Sequence, residues 1–472
     1  MRAHGLHRIA CRPRPLTWRS GDDPFDSAQD YGEGNALYPS FPPFRCPFDK
    51  RVIRGKVSLG INLCLLRLFA ANFPFNLMEA QNQSASKSSR APKRLGTNEE
   101  LADALDRRTV VGTLWKTEGD RIRCVACGHR CLIGEGRRGI CKVRFNRAGR
   151  LQTPFGYVAA LQCDPVEKKP FFHVHPGTDA LTFGMMGCDF HCPYCQNWVT
   201  SQALRDEASI APIRSATPDQ LVDAARRHGA KLVVSSYNEP LITAEWAVAV
   251  FQQARVNGFL CAFVSNGNAT PEALDFLRPW IVAYKVDLKG FDDKRYRTLG
   301  GTLERVTETI RMVHERGLWL EVLTLVVPGF NDSDQELRDI ARFIASVNRD
   351  IPWHITAFHK DYKMTGPDNT TARHLIRAAE IGVEEGLHFV YAGNLPGQVG
   401  PWENTHCSKC HEKLIDRMGY LVRAYHITKE GKCPGCRSAI PGIWPLNGAA
   451  DVPVAGDTAS YLSRRPRPVT LN

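Results

Sequence analysis

The chain has 472 residues, 43% hydrophobic and 23% charged, a balance typical of folded, globular proteins. Its net charge is +12, but no compact patch of Lys and Arg is interleaved with aromatic residues, so we expect no nucleic-acid partner. Residues 59–77 are apolar but contain Arg67 and Pro74, whereas a membrane-spanning helix needs about 20 uninterrupted apolar residues, so we also expect no membrane segment.

The cysteines carry more information than the overall composition. Eleven of the 16 fall into three tight groups, at 124–141, 188–195 and 407–436. Secreted disulfide-rich domains are short and carry cysteines throughout, so grouped cysteines in a long chain indicate metal or iron–sulfur ligation in a reducing compartment. We therefore expect a cytoplasmic protein.

Composition also divides the chain into segments. Residues 1–77 mix Pro, Arg and Gly without a helix or strand period, and a polar stretch begins at Met78. We interpret Met78 as the true start and residues 1–77 as a mis-annotated extension, with a genuine disordered extension as the alternative. The other segments are a polar and helical part (78–119), a Cys-rich module with a linker (120–179), the main domain (180–400), a second Cys module (401–445) and a loose tail (446–472).

The main domain alternates between apolar runs and helical patterns. Buried parallel strands are predicted at 181–184, 231–236, 260–264, 281–286, 318–327, 353–357 and 388–392. Helices are predicted from Thr217-Pro218 onward and over about 243–257, 302–316, 334–347 and 371–385, and a shorter helix precedes the domain at 98–110. Repeated β–α alternation predicts an α/β fold, either a barrel or a doubly wound sheet.

A compact cysteine motif directly follows the first predicted strand. Cys188, Cys192 and Cys195 have the spacing CxxxCxxC. Ferredoxin-type clusters use four cysteines, so three thiolates on one loop would leave one iron of a [4Fe–4S] cluster open to a small molecule. The alternative is a zinc knuckle that lacks a ligand.

Polar side chains follow the later strands at the corresponding positions. The carboxyl ends of parallel strands meet on the face where α/β barrels place their chemistry, so we expect these side chains to share one site. They are Tyr237, Asn238, Glu239, Ser265, Asn266, Asp287 and Lys289, and His354 joins them from the beginning of the strand predicted at 353–357.

These motifs together resemble those of the AmmeMemoRadiSam system radical S-adenosylmethionine (SAM) enzymes, which are relatives of pyruvate formate-lyase activating enzyme. The resemblance covers about 120–445, and one departure is the Asp-Phe-His sequence at 189–191, where relatives more often have Asn-Leu-Arg. The matching stretches are 124–131, 139–144, 164–170, 187–202, 237–240 and 393–397.

The resemblance implies a partial (β/α)6 radical SAM barrel flanked by small Cys-rich, zinc-ribbon-like modules. Cys188, Cys192 and Cys195 are then the ligands of a [4Fe–4S] cluster that binds SAM. The same resemblance gives cofactor-binding roles to Tyr237, Asn238, Glu239, Ser265, Asn266 and Asp287, and places Lys289 and His354 as catalytic residues. Its implied partners are an electron donor such as flavodoxin or ferredoxin, and Memo-like and AMMECR-like proteins.

Two further groups of cysteines flank the main domain. Cys407, Cys410, Cys433 and Cys436 form two CxxC knuckles, which are typical of a structural zinc site, with a redox or cluster role as the alternative. Cys124, Cys127, Cys131 and Cys141 could hold zinc or an auxiliary cluster, or could pair in space with the C-terminal module.

The segment 164–170, with His173 and His175 after it, is interpreted either as a charged linker or as a lid whose Lys or His residues reach the substrate. The leading functional hypothesis is an enzyme that cleaves SAM reductively to a 5′-deoxyadenosyl radical, which abstracts hydrogen from an unidentified substrate. The first alternative is a glycyl-radical-enzyme activase with a protein substrate. The second is a non-catalytic zinc-ribbon scaffold that binds protein or nucleic acid.

Overall fold

The computed structural model describes residues 97–455 and 464–471, which belong to one compact unit. The predictions on Met78 and on residues 1–77 lie outside the described residues. Within the described ranges, none of the helices combines the length and apolar character needed to cross a membrane.

The α-helices are described in chain order. They are α1 (Asn98–Asp106), α2 (Trp198–Ser201), α3 (Pro218–Arg227), α4 (Ala244–Val256), α5 (Pro271–Leu277), α6 (Asp293–Leu299), α7 (Leu303–Glu315), α8 (Asp334–Val347) and α9 (Ala372–Glu384).

The strands fall into three groups along the chain. Before the main domain lie β1 (Thr109–Val111), β2 (Trp115–Glu118), β3 (Arg121–Cys124), β4 (Leu132–Ile133), β5 (Phe145–Arg147), β6 (Arg150–Pro154), β7 (Tyr157–Val158) and β8 (Ala160–Pro165). The main domain contains β9 (Asp179–Gly184), β10 (Arg214–Ser215), β11 (Leu232–Ser235), β12 (Leu260–Ser265), β13 (Ala283–Asp287), β14 (Trp319–Val326), β15 (Trp353–Ala357) and β16 (Val390–Gly393). The C-terminal strands are β17 (Thr405–His406), β18 (Lys413–Met418), β19 (Leu421–Tyr425) and β20 (Arg467–Pro468).

One nine-stranded sheet organises the main domain, in the order β16-β15-β14-β13-β12-β11-β9-β8-β20. The strands from β9 through β16 in this order pair in parallel, while β8 and β20 are antiparallel additions at one edge. Strand β11 is buried along its whole length, as expected for a parallel strand covered by helices on its outer face. The predicted α/β fold is therefore confirmed: six β/α units, from β9 through α9, are followed by a seventh parallel strand, β16.

The helix termini show why the predicted boundaries agree closely with the structure. Thr217 caps α3 in a reciprocal capping box with Gln220, and Pro218 occupies the first helical turn. Ser333 caps α8 through the Glu336 backbone N–H, and α8 spans the predicted range. The short helices α5 and α6 were not predicted, because seven residues give too few turns for a clear periodicity.

Smaller sheets build the two Cys modules. The N-terminal module contains the antiparallel sheets β1-β6-β5 and β2-β3-β4, and the C-terminal module contains β17-β18-β19. Part of the predicted loose tail is ordered against the main sheet, since β20 pairs with β8 and Arg467 forms an ion pair with Asp179.

A buried ion pair attaches the N-terminal module to the barrel. Arg144, in the turn before β5, pairs with Glu245 of α4, and their side chains are only 1% and 7% exposed. Glu245 also accepts hydrogen bonds from the backbone N–H groups of Thr113 and Leu114, at 3.2 and 3.3 Å. Removing one partner of such a pair leaves a buried charge without compensation, which is strongly destabilising.

We therefore expect Glu245→Gln to lower the free energy of unfolding by about 3–5 kcal/mol, measured by urea denaturation. The matched control is Glu272→Gln, which removes the partner of Arg130 at a site where the Glu272 side chain is 41% exposed. Exposed pairs contribute about 1 kcal/mol or less, so the control should change stability little. Equal effects of the two substitutions would contradict the role assigned to the buried pair.

Candidate active site and metal centres

The three-cysteine loop begins where β9 ends. Gly184, the last residue of β9, packs so closely on the loop after β11 that an added Cβ would clash with the Ser236 carbonyl oxygen. Gly187 has a φ of +96°, a conformation that favours glycine, and it redirects the chain into the loop. Within the loop, the Phe190 N–H donates to Cys188 Sγ at 3.3 Å, and Cys195 Sγ lies 3.2 Å from Ser201 Oγ.

A buried carboxylate anchors this loop to the neighbouring strand. Asp189 Oδ1 accepts from Asn266 Nδ2 at 2.7 Å, and Asp189 Oδ2 accepts from Asn268 Nδ2 at 2.8 Å. From the other side, the Arg205 guanidinium donates to the carbonyl oxygens of Cys188 and Phe190, at 2.7 and 2.8 Å. Donors therefore hold the loop both through the Asp189 side chain and through two backbone carbonyl oxygens.

Glu239 lies directly behind this anchor. Its carboxylate accepts hydrogen bonds from Leu241 N at 3.0 Å, Ser265 Oγ at 2.8 Å and Asn266 N at 2.7 Å. Burial, and then the nearby Asp189 carboxylate, raise the pKa of Glu239. Asn238 is similarly engaged, because its Oδ1 accepts from Met185 N at 3.0 Å. The structure thus brings Asn238, Glu239, Ser265 and Asn266 together within the framework that supports the loop.

A cavity of about 350 Å³ opens at the carboxyl ends of the parallel strands. Two of the loop cysteines line it, together with four of the other predicted site residues and several residues from the C-terminal module. The predicted residues on its wall are Cys192, Cys195, Tyr237, Asp287, Lys289 and His354. This is the face on which α/β barrels place their active sites.

One wall of the cavity comes from the segment at 164–170. Lys169 forms an ion pair with Asp164, which also accepts a hydrogen bond from the Tyr237 hydroxyl. Burial lowers the pKa of Lys169 to about 8, although the Asp164 charge opposes that shift. Burial would raise the pKa of Asp164, but Lys169 and Lys168 outweigh it and bring that pKa to about 2.

A second group of charges lies at the end of β13. Asp287 pairs with Lys285 and also accepts from Lys289 Nζ at 3.3 Å. Deeper in the sheet, His354 Nε2 lies 2.5 Å from Glu321 Oε2, and burial lowers the pKa of His354 despite this carboxylate. Four lysines and three carboxylates line the cavity, so its wall carries charges of both signs: Lys168, Lys169, Lys285, Lys289, Glu167, Asp287 and Glu403.

Sequence reasoning missed several of these residues. Lys285 and Glu321 are charged residues within strands that are otherwise apolar, and this is the signal that could have identified them as facing a polar interior. Lys169 belongs to the segment 164–170, which the sequence left open as either a charged linker or a lid. In the structure its side chain lines the cavity. His173 lies apart from that wall, with its ring nitrogens 2.6 Å from the Pro441 carbonyl and the Tyr391 hydroxyl.

Cys124, Cys127, Cys131 and Cys141 gather beside the three-cysteine loop. Burial raises the pKa of Cys127, as do the nearby Asp189 carboxylate and the three other thiols of the group. His129 Nε2 lies 3.2 Å from the Asp189 carbonyl oxygen, which connects the module to the loop.

The C-terminal cysteines form their own group. The ligand atoms of Cys407, Cys410, Cys433 and Cys436 all lie within 4.8 Å of one another. The Cys407–Cys436 and Cys410–Cys433 sulfur distances are 3.5 and 3.6 Å. Four thiolates at this spacing can hold one metal ion, and the group does not draw on the cysteines at 124–141.

Comparison with known proteins agrees with this site. Residues 184–344 match the family model described as the radical SAM superfamily. An uncharacterized protein of Methanocaldococcus jannaschii is 36% identical over 328 residues, which cover 69% of this chain and 96% of that protein. The chain belongs to the radical SAM superfamily. The predicted class of enzyme is therefore confirmed, and the family implies a [4Fe–4S] cluster and SAM.

Activating enzymes are more distant relatives. The isethionate sulfite-lyase activating enzyme of Oleidesulfovibrio alaskensis is 27% identical over 28% of this chain, and the match spans 43% of that enzyme, less than half its length. The pyruvate formate-lyase-activating enzyme of Staphylococcus epidermidis is 24% identical over 39% of this chain and 76% of that enzyme.

The C-terminal group provides a direct test of metal binding. We expect Cys433→Ala to remove about one metal ion per chain, because a tetrahedral site that loses one of four thiolates binds its ion far more weakly. Metal content is measured by inductively coupled plasma mass spectrometry. The control is Cys261→Ala, a buried free thiol of β12, which should leave the count unchanged. Unaltered metal content in Cys433→Ala would contradict the site.

Proposed function

We propose that Cys188, Cys192 and Cys195 ligate a [4Fe–4S] cluster at the inner end of the cavity. The observation that carries this proposal is that a loop with three thiols, held by the Asp189 anchor, presents Cys192 and Cys195 to a cavity large enough for a small molecule. Three soft thiolates suit an iron–sulfur cluster and leave one iron for a non-protein ligand. When bound, the cluster and SAM supply an electron and a 5′-deoxyadenosyl radical for hydrogen abstraction.

The chain's own residues then position the reactants. Lys289 provides a cation on the cavity wall for a carboxylate such as that of SAM, while Asp287 holds Lys289 in place and provides an acceptor for an amino group. Tyr237 and Lys169 also line the cavity, and His354, held by Glu321, lies among the lining residues where substrate would bind. Lys289 and His354 are the proposed catalytic residues.

Asn238, Glu239, Ser265 and Asn266 are proposed as positioning residues. Their side chains bond to one another, to Asp189 or to nearby backbone groups, as described above. Their contribution to SAM binding would then act through the shape of the loop and of the adjoining strand ends.

A small substrate is favoured over a glycyl radical protein. Gly419 and Tyr420 of the C-terminal module line the cavity together with Lys168 and Lys169, so this module covers part of the barrel mouth. An activase must admit a peptide loop there, and this cover narrows the available opening. The sequence similarity to activating enzymes keeps the activase as the second candidate function.

We also propose that the protein is an AmmeMemoRadiSam system enzyme, with Memo-like and AMMECR-like proteins as its functional partners and a flavodoxin or ferredoxin as its electron donor. The motifs at 164–170 and 393–397 support this assignment, since both contribute residues to the cavity wall. Zinc is proposed for the C-terminal group. Tetrahedral Zn–S bonds of about 2.3 Å place sulfur atoms about 3.8 Å apart, close to the spacing found there.

Substitution of the loop cysteines tests the catalytic cluster. We expect Cys188→Ala, Cys192→Ala or Cys195→Ala to abolish 5′-deoxyadenosine formation in oxygen-free assays with SAM and dithionite, because each removes a cluster ligand. Product is measured by liquid chromatography, with Cys261→Ala as the control that keeps full activity. Continued 5′-deoxyadenosine formation by any of the three variants would refute its assignment as a ligand.

The SAM site can be tested separately from turnover. We expect Lys289→Met to weaken SAM binding by about tenfold or more, since a charge-assisted hydrogen bond contributes about 1.5–3 kcal/mol. Affinity is measured by isothermal titration calorimetry on protein with a matched iron content. Lys294→Met, on an exposed residue of α6, is the control. If the two variants bind SAM equally well, Lys289 does not contact it.

A further inference from the structure

The four cysteines at 124–141 meet in one place although they come from separate turns. Cys124 ends β3 and its backbone N–H donates to the Cys131 carbonyl at 2.9 Å, which closes the first turn. The turn at 139–144 then returns to the same place, because the Ile140 N–H donates to Cys131 Sγ at 3.4 Å. Cys124, Cys127 and Cys141 are buried, and all four thiols are free of disulfide bonds.

We propose that Cys124, Cys127, Cys131 and Cys141 hold a second [4Fe–4S] cluster. The sequence is compatible with either a zinc ion or a cluster at this group. The distances between the sulfur atoms in the structure distinguish the two. Thiolates around one zinc ion must lie about 3.8 Å apart, because each Zn–S bond is about 2.3 Å long. In a cubane cluster each thiolate binds a different iron at a separate corner, so the four sulfur atoms stand further apart than around one ion.

The C-terminal module supplies an internal reference for this comparison. Within the described ranges, Cys407, Cys410, Cys433 and Cys436 form the one group of three or more potential metal ligands whose ligand atoms all lie within 4.8 Å of one another. No three of the thiols at 124–141 meet that condition. The sulfur atoms of the C-terminal group therefore have the spacing of ligands around a single ion. Those at 124–141 lie near one another but further apart than this.

The surroundings of the wider group also suit a cluster. Arg144 Nη1 donates to Cys124 Sγ at 3.4 Å, and the Ile140 N–H donates to Cys131 Sγ. Hydrogen bonds to ligating sulfur are one means by which proteins stabilise iron–sulfur clusters and set their reduction potential. The Arg144 charge remains compensated through Glu245, so the site gains a donor without an unpaired buried cation.

The position of this group distinguishes it from the catalytic loop. Arg205 joins the two loops, since its Nη2 donates to the Ile140 carbonyl at 2.6 Å and its Nη1 to the Cys188 carbonyl at 2.7 Å. Among the described residues that line the cavity, Cys192 and Cys195 are present, whereas the four thiols at 124–141 are not. Four protein ligands and this location outside the cavity leave no iron open to substrate.

Metal counting on the full-length chain tests the proposal independently of catalysis. The variant Cys188→Ala/Cys192→Ala/Cys195→Ala lacks the catalytic ligands, so after oxygen-free reconstitution we expect it to retain about four irons and four sulfides, with about one zinc. Mössbauer spectroscopy should show a [4Fe–4S] cluster in this variant. Adding Cys127→Ala should remove that iron and leave the zinc, whereas adding Cys261→Ala should change neither.

Other outcomes overturn the proposal. If the triple variant contains about two zinc ions and no iron, the group at 124–141 is a zinc site. If it binds neither metal there, the group is not a metal site. The zinc of the C-terminal module and the circular dichroism spectrum report folding. Should the triple variant misfold, wild-type protein decides between about eight irons with one zinc, as proposed, and about four irons with two zinc ions, which would refute it.

Discussion

The buried Asp189 carboxylate is the contact on which the arrangement of the site depends. A carboxylate removed from water needs fixed donors, and Asp189 finds them in Asn266 and Asn268, which follow β12. Asn266 in turn donates its backbone N–H to Glu239, which follows β11. One chain of hydrogen bonds therefore connects the cysteine loop after β9 to the ends of the next two strands, so the loop cannot shift without disturbing the sheet.

This anchor separates two kinds of polar residue at the strand ends. Those within the hydrogen-bonded framework hold the loop, and those beyond it line the cavity. The four lysines of the cavity form ion pairs with shared carboxylates. Lys168 and Lys169 both pair with Asp164, and Lys285 and Lys289 both pair with Asp287. Glu167 and Glu403 also line the cavity, so its wall carries charges of both signs and can bind a zwitterionic molecule through both its ammonium and its carboxylate group.

Much of this organisation could be predicted from the sequence, for identifiable reasons. Parallel strands buried on both faces give unbroken apolar runs, and capping residues such as Thr217 and Ser333 mark where helices begin. The sequence also places Glu239 and Asp287 at strand ends. It could not show that Glu239 turns into the framework while Asp287 faces the cavity, because that depends on which donors the neighbouring loops supply. The strand β20 was missed for a similar reason, since two residues at a sheet edge carry no periodicity.

The two flanking Cys modules differ in how much the spacing of cysteines along the sequence reveals about the metal site. The C-terminal module presents two CxxC knuckles on facing turns, and opposed knuckles bring four thiols around one point. The N-terminal module has a single CxxC knuckle, Cys124–Cys127. Its other two thiols come from Cys131 and from Cys141 in a later turn, so the four cysteines are unevenly spaced along the sequence. Their sulfur atoms are more widely spaced than those of the C-terminal group, which is the basis for proposing a cluster there. Arg205 hydrogen-bonds both cysteine loops, and His129 of this module lies 3.2 Å from the Asp189 carbonyl oxygen, so the two cysteine loops are in direct contact.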